Sequence, residues 1–152
     1  MVMEEIRFSV MTYNVHSCFG KDRRSHPRRI AEVIMMHKPD IVALQEIDVD
    51  MDRSGRVHQA QIIAGCLNMA YHFHPVLFIK EGQYGNAILS RFPICLIKAD
   101  LLPAHTHRWS ETRGGLWVEI RIKKRKIQVF NTHLGLHRKE RWLQAVDHYP
   151  FL

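Results

Sequence analysis

The fold is organised around residues 40–46, which read DIVALQE. A short apolar run of this kind, entered through Pro39, is typical of a strand covered on both faces of a sheet. The run ends in Glu46, and an ionised carboxylate is almost never fully buried unless it is paired or holds a cation. Two interpretations of Glu46 stay open at this point: an acid at the rim of the sheet bonded to an arginine, or a metal ligand.

The residues before this strand predict a β-α-β unit. Residues 6–13 alternate between apolar and polar side chains, which indicates a strand that ends at Asn14. A helix is predicted from Pro27 to His37, because proline suits a first helical turn and apolar residues recur at helical spacing. If the two strands are parallel, their carboxyl ends meet at one edge. Asn14 and Glu46 are therefore expected to lie close together.

The remainder of the chain predicts two more helices, several strands and a hairpin. The hairpin is the clearest, with alternating residues 116–122 and 127–134 joined by a turn at residues 123–125. The other predicted elements are a helix at 57–67, a short strand at 71–74, a turn at 82–85, strands at 86–90 and 94–101, and a helix at 140–146. Helices mixed with strands in this way indicate an α/β (α+β) fold.

Length and composition favour one globular domain over residues 1–152. The chain is 46% hydrophobic and 24% charged, and no apolar run approaches the roughly 18 residues that a membrane-spanning helix needs. The first five residues, MVMEE, do not form a signal peptide, so a cytoplasmic location is expected. Three widely spaced cysteines suggest neither a disulfide framework nor a cysteine metal site. The formal charge of +7 favours a polyanionic partner.

Five segments occur in an order that is informative as a set. They are MTYNV at 11–15, PDIVALQEI at 39–47, YGNAILSR at 84–91, ETRGG at 111–115 and NTHLGL at 131–136. Together they resemble the endonuclease/exonuclease/phosphatase superfamily. The resemblance covers most of the chain. It implies the DNase I-like four-layer α/β/β/α sandwich, here with the first sheet, its helices and part of the second sheet.

The same resemblance implies a metal site at the strand ends. Glu46 would be the principal ligand of Mg²⁺ or Mn²⁺, with Asn14 beside it in the site. Magnesium prefers oxygen ligands and keeps several waters, so one protein carboxylate can suffice. A cation that neutralises a phosphate oxygen offsets the charge that develops during hydrolysis.

Four further residues receive roles from the resemblance. His133 would hydrogen-bond the scissile phosphate, and Tyr84 corresponds to an active-site tyrosine of the exonuclease III-like branch; both are expected to be catalytic. Asn86 and Arg113 would line the phosphate groove as substrate-binding residues. The implied function is a divalent-metal-dependent phosphodiester or phosphomonoester hydrolase.

The substrate stays open among a nucleic acid, a phospholipid head group and a small phosphate ester. The segment from Thr132 to Leu136, followed by Glu140, Arg141 and Gln144, is more similar to the bacterial phosphodiesterase-like and sphingomyelinase-like members than to the abasic-site endonucleases. This favours a phosphodiester other than nucleic acid. Residue types that bind phosphate do not by themselves distinguish these substrates.

The sequence departs from the family pattern in its last part. It contains no Gly-Asp-x-Asn segment, and the closing Ser-Asp-His pattern is matched only by Asp147 and His148. The domain is therefore expected to be incomplete and its activity impaired if this chain is the whole product. The alternative is a catalytically inactive fragment or a polyanion-binding module of the same fold. An uncovered apolar sheet face would also favour self-association.

Overall fold

The computed structural model describes residues 5–103 and 110–147, which form seven strands and three helices. In chain order these are β1 (Val10–Asn14), α1 (Pro27–His37), β2 (Ile41–Val49), α2 (Gln59–Leu67), β3 (Ala70–Ile79), β4 (Gly82–Ser90), β5 (Ile94–Leu101), β6 (Gly114–Ile122), β7 (Arg125–Thr132) and α3 (Arg138–Asp147). Short 3₁₀ turns cover His16–Cys18 and Asp52–Ser54.

The strands form two sheets. The first has the order β1-β2-β4-β3, in which β1 and β2 are parallel and the other pairs are antiparallel. The second has the antiparallel order β5-β6-β7. The parallel pair confirms the predicted β-α-β unit, and its register places Asn14 opposite Gln45. The mixed α/β class and the two sheets agree with the DNase I-like sandwich expected from the sequence.

Two apolar cores hold the layers together. One lies between the first sheet and the helices α1 and α2, where Ile34, Leu44 and Ile63 have no exposed surface. The other lies between the sheets, where Ile41 and Ile88 of the first sheet share a cluster with residues of β6 such as Leu116. Alternate residues of β2 therefore face opposite cores, which explains the continuous apolar run. The second sheet covers these residues on the inner face of the first.

One turn prediction was wrong. Residues 82–85 belong to β4, which begins at Gly82. Gly85 is required by close packing, because a Cβ atom at this position would lie 1.9 Å from the carbonyl oxygen of His74. A glycine that permits a neighbouring strand to approach is indistinguishable in sequence from a turn glycine.

The strand predicted at 71–74 is longer than expected. It continues through Pro75 to Ile79, and the pairing with β4 shifts between Pro75 and Leu77. Proline is tolerated inside a strand at such a bulge, where no ladder hydrogen bond is needed from its nitrogen.

The remaining elements agree with the predictions to within a few residues. The first strand begins at Val10 and the second helix at Gln59, both later than predicted. The hairpin of β6 and β7 is confirmed, with its turn at residues 123–124. No helix among the described residues is long and apolar enough to cross a membrane. The cytoplasmic location stays a prediction.

Candidate active site

Glu46 lies at an irregularity in β2 that changes the direction of its side chain. The pairing of β2 with β4 shifts between Leu44 and Ile47. Glu46 itself has a φ angle of +61°, in the left-handed region that side chains rarely adopt. This strained conformation lets the buried strand deliver a carboxylate that keeps 19% of its surface exposed. A local distortion at a strand end is therefore what makes Glu46 available to a ligand.

Three side chains surround the Glu46 carboxylate. Asn14 donates a hydrogen bond from Nδ2 to Oε1 at 2.7 Å. The Nδ1 atom of His16 lies 3.3 Å from Oε2, and that of His133 lies 3.8 Å from Oε1. The structure thus brings Asn14, Glu46 and His133 together, and the proximity of Asn14 and Glu46 is the one expected from the β-α-β unit. Their assigned roles stay predictions. His16 is a member of this group that the sequence interpretation missed, although it lies only two residues beyond Asn14.

Asn14 is held by both ends of its amide. Its Oδ1 accepts a hydrogen bond of 3.0 Å from the backbone nitrogen of His16, while its Nδ2 donates to Glu46. In this orientation the oxygen is turned away from the carboxylate. Asn14 therefore orients Glu46, and its assignment as a direct metal ligand stays a prediction.

The contacts of His133 define its tautomer. Arg113 Nη1 lies 3.1 Å from His133 Nδ1, and a guanidinium can only donate, so Nδ1 is the acceptor. Burial, followed by the positive charge of Arg113, lowers the pKa of His133. The imidazole is therefore neutral near pH 7 and carries its proton on Nε2, where it can donate a hydrogen bond.

Arg113 is buried to a greater degree than a groove-lining residue would be. Its side chain is only 7% exposed, and Nη2 forms an ion pair with Glu111 at 3.1 Å in addition to the contact with His133. Its Nε atom is buried and has no hydrogen-bond partner among the described residues. These contacts place Arg113 beside His133, where it orients the imidazole ring, and its expected role in substrate binding stays a prediction.

Asn86 is also buried and donates from Nδ2 to the carbonyl oxygen of Gly114 at 3.1 Å. This bond connects the first sheet to the start of β6 and so to Arg113. The expected role of Asn86 in substrate binding stays a prediction.

Tyr84 lies on β4 directly opposite Asp48 of β2. Burial raises the pKa of its phenol, and the negative charges of Glu46 and Glu111 raise it further. The phenol therefore stays protonated in the neutral range and can donate a hydrogen bond, and the expected catalytic role of Tyr84 stays a prediction.

The donor set fits a magnesium-type cation better than a transition metal. No cluster of three or more His, Cys, Asp or Glu side chains within the described ranges, 5–103 and 110–147, is arranged to hold a metal ion. A single partly exposed carboxylate beside amide and imidazole groups suits an ion that retains its own waters. The closing Asp147 and His148 cannot be placed in this site, because His148 and the side chain of Asp147 lie outside the described part of the structure.

Comparison with known proteins gives a consistent result. A sequence profile of the Endonuclease/Exonuclease/phosphatase family matches residues 11–149. The chain is 25% identical over 151 residues to YbhP, an uncharacterised protein of Escherichia coli (strain K12). That alignment covers 93% of this chain and 58% of YbhP, so the chain spans less than two thirds of the length of this relative.

Solved structures with a similar fold include the following two. An endonuclease/exonuclease/phosphatase from Beutenbergia cavernae has a TM-score of 0.74 and 23% identity, with 93% of this chain and 44% of that chain covered. TDP2 from D. rerio, complexed with a single strand DNA product, has a TM-score of 0.60 and 14% identity, covering 91% of this chain and 52% of that chain. At these identities the similarity establishes the fold.

Proposed function

The chain belongs to the Endonuclease/Exonuclease/phosphatase family, and on that premise we propose that it is a divalent-metal-dependent hydrolase of phosphodiesters or phosphomonoesters. The observation that supports this most directly is the convergence of Asn14, Glu46 and His133 at one edge of the sandwich. The substrate is proposed to be a phosphate ester drawn from nucleic acids, phospholipid head groups or small molecules.

Glu46 is the residue proposed to hold Mg²⁺ or Mn²⁺. The ion would supply positive charge to a phosphate oxygen and so offset the charge that develops in the transition state. Asn14 fixes the carboxylate through the hydrogen bond to Oε1, and His16 approaches the other oxygen. Both neighbours limit rotation of the carboxylate and keep it oriented before substrate arrives.

The other residues of the site are proposed to bind and orient the phosphate. His133 offers the N–H at Nε2 to a non-bridging oxygen, since its Nδ1 is occupied by Arg113. Tyr84 offers a phenol O–H that stays protonated at neutral pH. Such donors are effective when they are held in place, because no reorganisation is then needed as charge develops.

A magnesium-dependence assay tests this function. The protein is expected to hydrolyse bis(p-nitrophenyl) phosphate in Mg²⁺, and Glu46→Gln is expected to lower the rate by at least about 100-fold because the metal ligand is lost. Glu32→Gln, which removes an exposed carboxylate from α1, is the matched control and is expected to keep wild-type activity. Equal turnover in excess chelator would contradict the proposal.

A polyanion-binding module of the same fold is the second candidate. It is favoured by the lack of a Gly-Asp-x-Asn segment, whose acid and amide help orient the attacking water in family members, and by the charge of +7. This candidate predicts salt-sensitive binding of nucleic acid without turnover. Hydrolysis that co-purifies with the chain and disappears in Glu46→Gln would exclude it.

Self-association through an exposed sheet face is also proposed. The inner face of the first sheet, where the sequence predicted this surface, is covered by the second sheet, so the candidate surface is the outer face of the second sheet. On the outer face of this sheet Phe130 keeps 44% of its surface exposed, directly across from Trp117. Burial of such surface against another copy would be favourable. Sedimentation velocity over a range of concentrations tests this, and a concentration-independent monomer would contradict it.

A further inference from the structure

Arg53 is fixed beside the site by a buried acid. It lies in the 3₁₀ turn that follows β2, and it donates from Nε and Nη2 to the two carboxylate oxygens of Asp48 at 2.9 and 2.7 Å. Asp48 has no exposed surface. A bidentate pair of this kind holds the plane of the guanidinium as well as its position.

Further hydrogen bonds hold the acid itself. Ser17 donates from its hydroxyl to Asp48 Oδ1 at 3.0 Å and accepts from Arg53 Nη2 at 3.1 Å. Gln59 accepts a bond of 2.9 Å from the backbone nitrogen of Asp48 and donates to the carbonyl oxygen of Ser17 at 2.7 Å. The loop after β1, strand β2 and helix α2 therefore all contribute to one rigid support for Arg53.

The guanidinium of Arg53 is directed towards the active-site tyrosine. Its central carbon lies 5.6 Å from the centre of the Tyr84 ring. The hydrogen bonds to Asp48, and the negative charges of Asp48 and Glu46, raise the pKa of Arg53, so it is fully charged at every relevant pH. It thus contributes a permanent positive charge on the Tyr84 side of the site.

Arg53 and Arg113 differ in accessibility. Arg113 is almost completely buried, and both of its Nη atoms contact protein partners. The side chain of Arg53 is 49% exposed, and its Nη1 atom makes no hydrogen bond with residues 5–103 or 110–147. An orientated cation with a free donor, next to a site that handles anions, is suited to binding an anionic oxygen.

We propose that Arg53 binds a second anionic group of the substrate, and that the preferred substrates are phosphodiesters with another phosphate one linkage away. The guanidinium of Arg53 lies beside the ring of Tyr84, a residue proposed to bind the scissile phosphate, so an anion bound at its Nη1 atom would be a neighbour of that phosphate. The inference rests on the proposed function and refines its substrate class.

A purely structural role for Arg53 explains only part of its observed geometry. Neutralising Asp48 uses only the Nε and Nη2 atoms of Arg53, and it places no demand on the exposed Nη1 atom or on proximity to Tyr84. The two roles differ in one measurable respect. If Arg53 contacts the substrate, the loss of affinity on replacing Arg53 depends on the number of phosphates in the ligand. A structural role gives no such dependence.

Binding of a matched ligand set tests the proposal. The dinucleotide TpT has one phosphate, while pTpT and TpTp each add a second at one end. Affinities are measured by calorimetry in Ca²⁺, with chromatography to verify that each ligand stays intact. The wild-type protein is expected to bind pTpT or TpTp at least about 10-fold more tightly than TpT. Arg53→Gln is expected to reduce that ratio to below about 2-fold and to change TpT affinity by less than about 3-fold.

Three further variants define the controls. Arg56→Gln removes an equal charge from a residue that instead pairs with Asp52 and Glu81, so it is expected to keep the wild-type ratio. Arg53→Lys is expected to retain part of the ratio, because a lysine keeps the charge but loses the bidentate geometry. The double variant Asp48→Asn/Arg53→Gln removes the buried charge together with its partner and is used if Arg53→Gln alone unfolds.

The outcomes separate this inference from the proposed function. Equal wild-type affinity for the three dinucleotides, no binding at all, or an unchanged ratio in the Arg53 variants would each overturn the role of Arg53. Failure to hydrolyse any phosphodiester, with the Arg53-dependent ratio intact, would instead overturn the hydrolase assignment and leave the second-anion contact standing.

Discussion

Gln45 and Asn131 join the two sheets through a hydrogen bond of 2.8 Å, in which Gln45 Nε2 donates to Asn131 Oδ1 immediately next to Glu46 in the chain. Asn131 in turn donates from Nδ2 to the carbonyl oxygens of Leu44 and Ala87, both at 2.9 Å. These acceptors lie where the β2–β4 ladder is interrupted. One buried amide therefore supports the distorted strand that carries Glu46 and the strand that leads to His133.

Replacement of Asn131 by alanine is expected to destabilise the protein by about 3 kcal/mol, because two buried carbonyls and one amide lose their shared partner. Urea denaturation followed by circular dichroism measures this. The control is Gln128→Ala on the outer face of the same strand, where the exposed amide bonds the partly exposed side chains of Trp117 and Glu119. Its expected cost is below about 1 kcal/mol, and equal costs for the two variants would refute the assigned support role.

The parts of the fold that could be predicted are those with local signals. The β-α-β unit and the hairpin follow from apolar periodicity, a first-turn proline and alternating strands, all of which are readable within a short window. The bulge at Gln45 and Glu46 has no such signal, since the hydrogen bonds that support it come from Asn131, far away in the chain. Gly85 was misread for a related reason, because the approach of His74 arises only when the sheet forms.

The strained backbone at Glu46 predicts that glycine gives a more stable protein than alanine at this position, the reverse of the order within a helix. Both Glu46→Gly and Glu46→Ala remove the carboxylate and its bond to Asn14, but only glycine adopts a φ of +61° without penalty. Glu46→Gly is therefore expected to be more stable than Glu46→Ala by about 1 kcal/mol. Chemical denaturation of both variants gives the difference.

The same pair of substitutions at Glu32 provides the reference. Glu32 lies within the helix α1, where alanine is favoured over glycine by about 1 kcal/mol. The sign of the glycine–alanine difference should therefore reverse between positions 32 and 46. An alanine preference at both positions would show that Glu46 does not require the left-handed conformation.

The Asp48–Arg53 pair predicts that its two single variants lose unequal amounts of unfolding free energy. Arg53→Met leaves the fully buried Asp48 charge without its partner and is expected to cost about 3 to 5 kcal/mol. Asp48→Asn leaves a half-exposed guanidinium that water can solvate, so its expected cost is about 1 to 2 kcal/mol. The double variant should be more stable than Arg53→Met alone, and a double-mutant cycle from urea titrations measures this. Simple additivity of the two costs would contradict the coupling.

The site was predictable where a residue type and a strand end coincided, as for Asn14, Glu46 and His133. The supporting residues were not, because their roles depend on contacts across the chain. Asp48 and Arg53 occupy an acidic polar segment that has the composition of a solvated loop, yet Asp48 is completely buried. Arg113 was expected to line the phosphate groove. Its contact with His133, which lies twenty residues away in the chain, cannot be read from composition.

The contact between Arg113 and His133 makes a final prediction about the imidazole. In metal-free protein at neutral pH, nitrogen-resolved NMR of His133 should show the neutral tautomer with the proton on Nε2, because Arg113 donates to Nδ1.

Arg113→Met removes both the donor and a like charge that lowers the pKa of His133, so that pKa is expected to rise. The imidazolium would then persist to higher pH than in the wild type. Arg121→Met, which removes an exposed charge from β6, the strand that begins directly after Arg113, is the control and should leave the His133 titration unchanged. A proton on Nδ1 in the wild type, or an identical titration in Arg113→Met, would contradict the arrangement in which Arg113 orients His133.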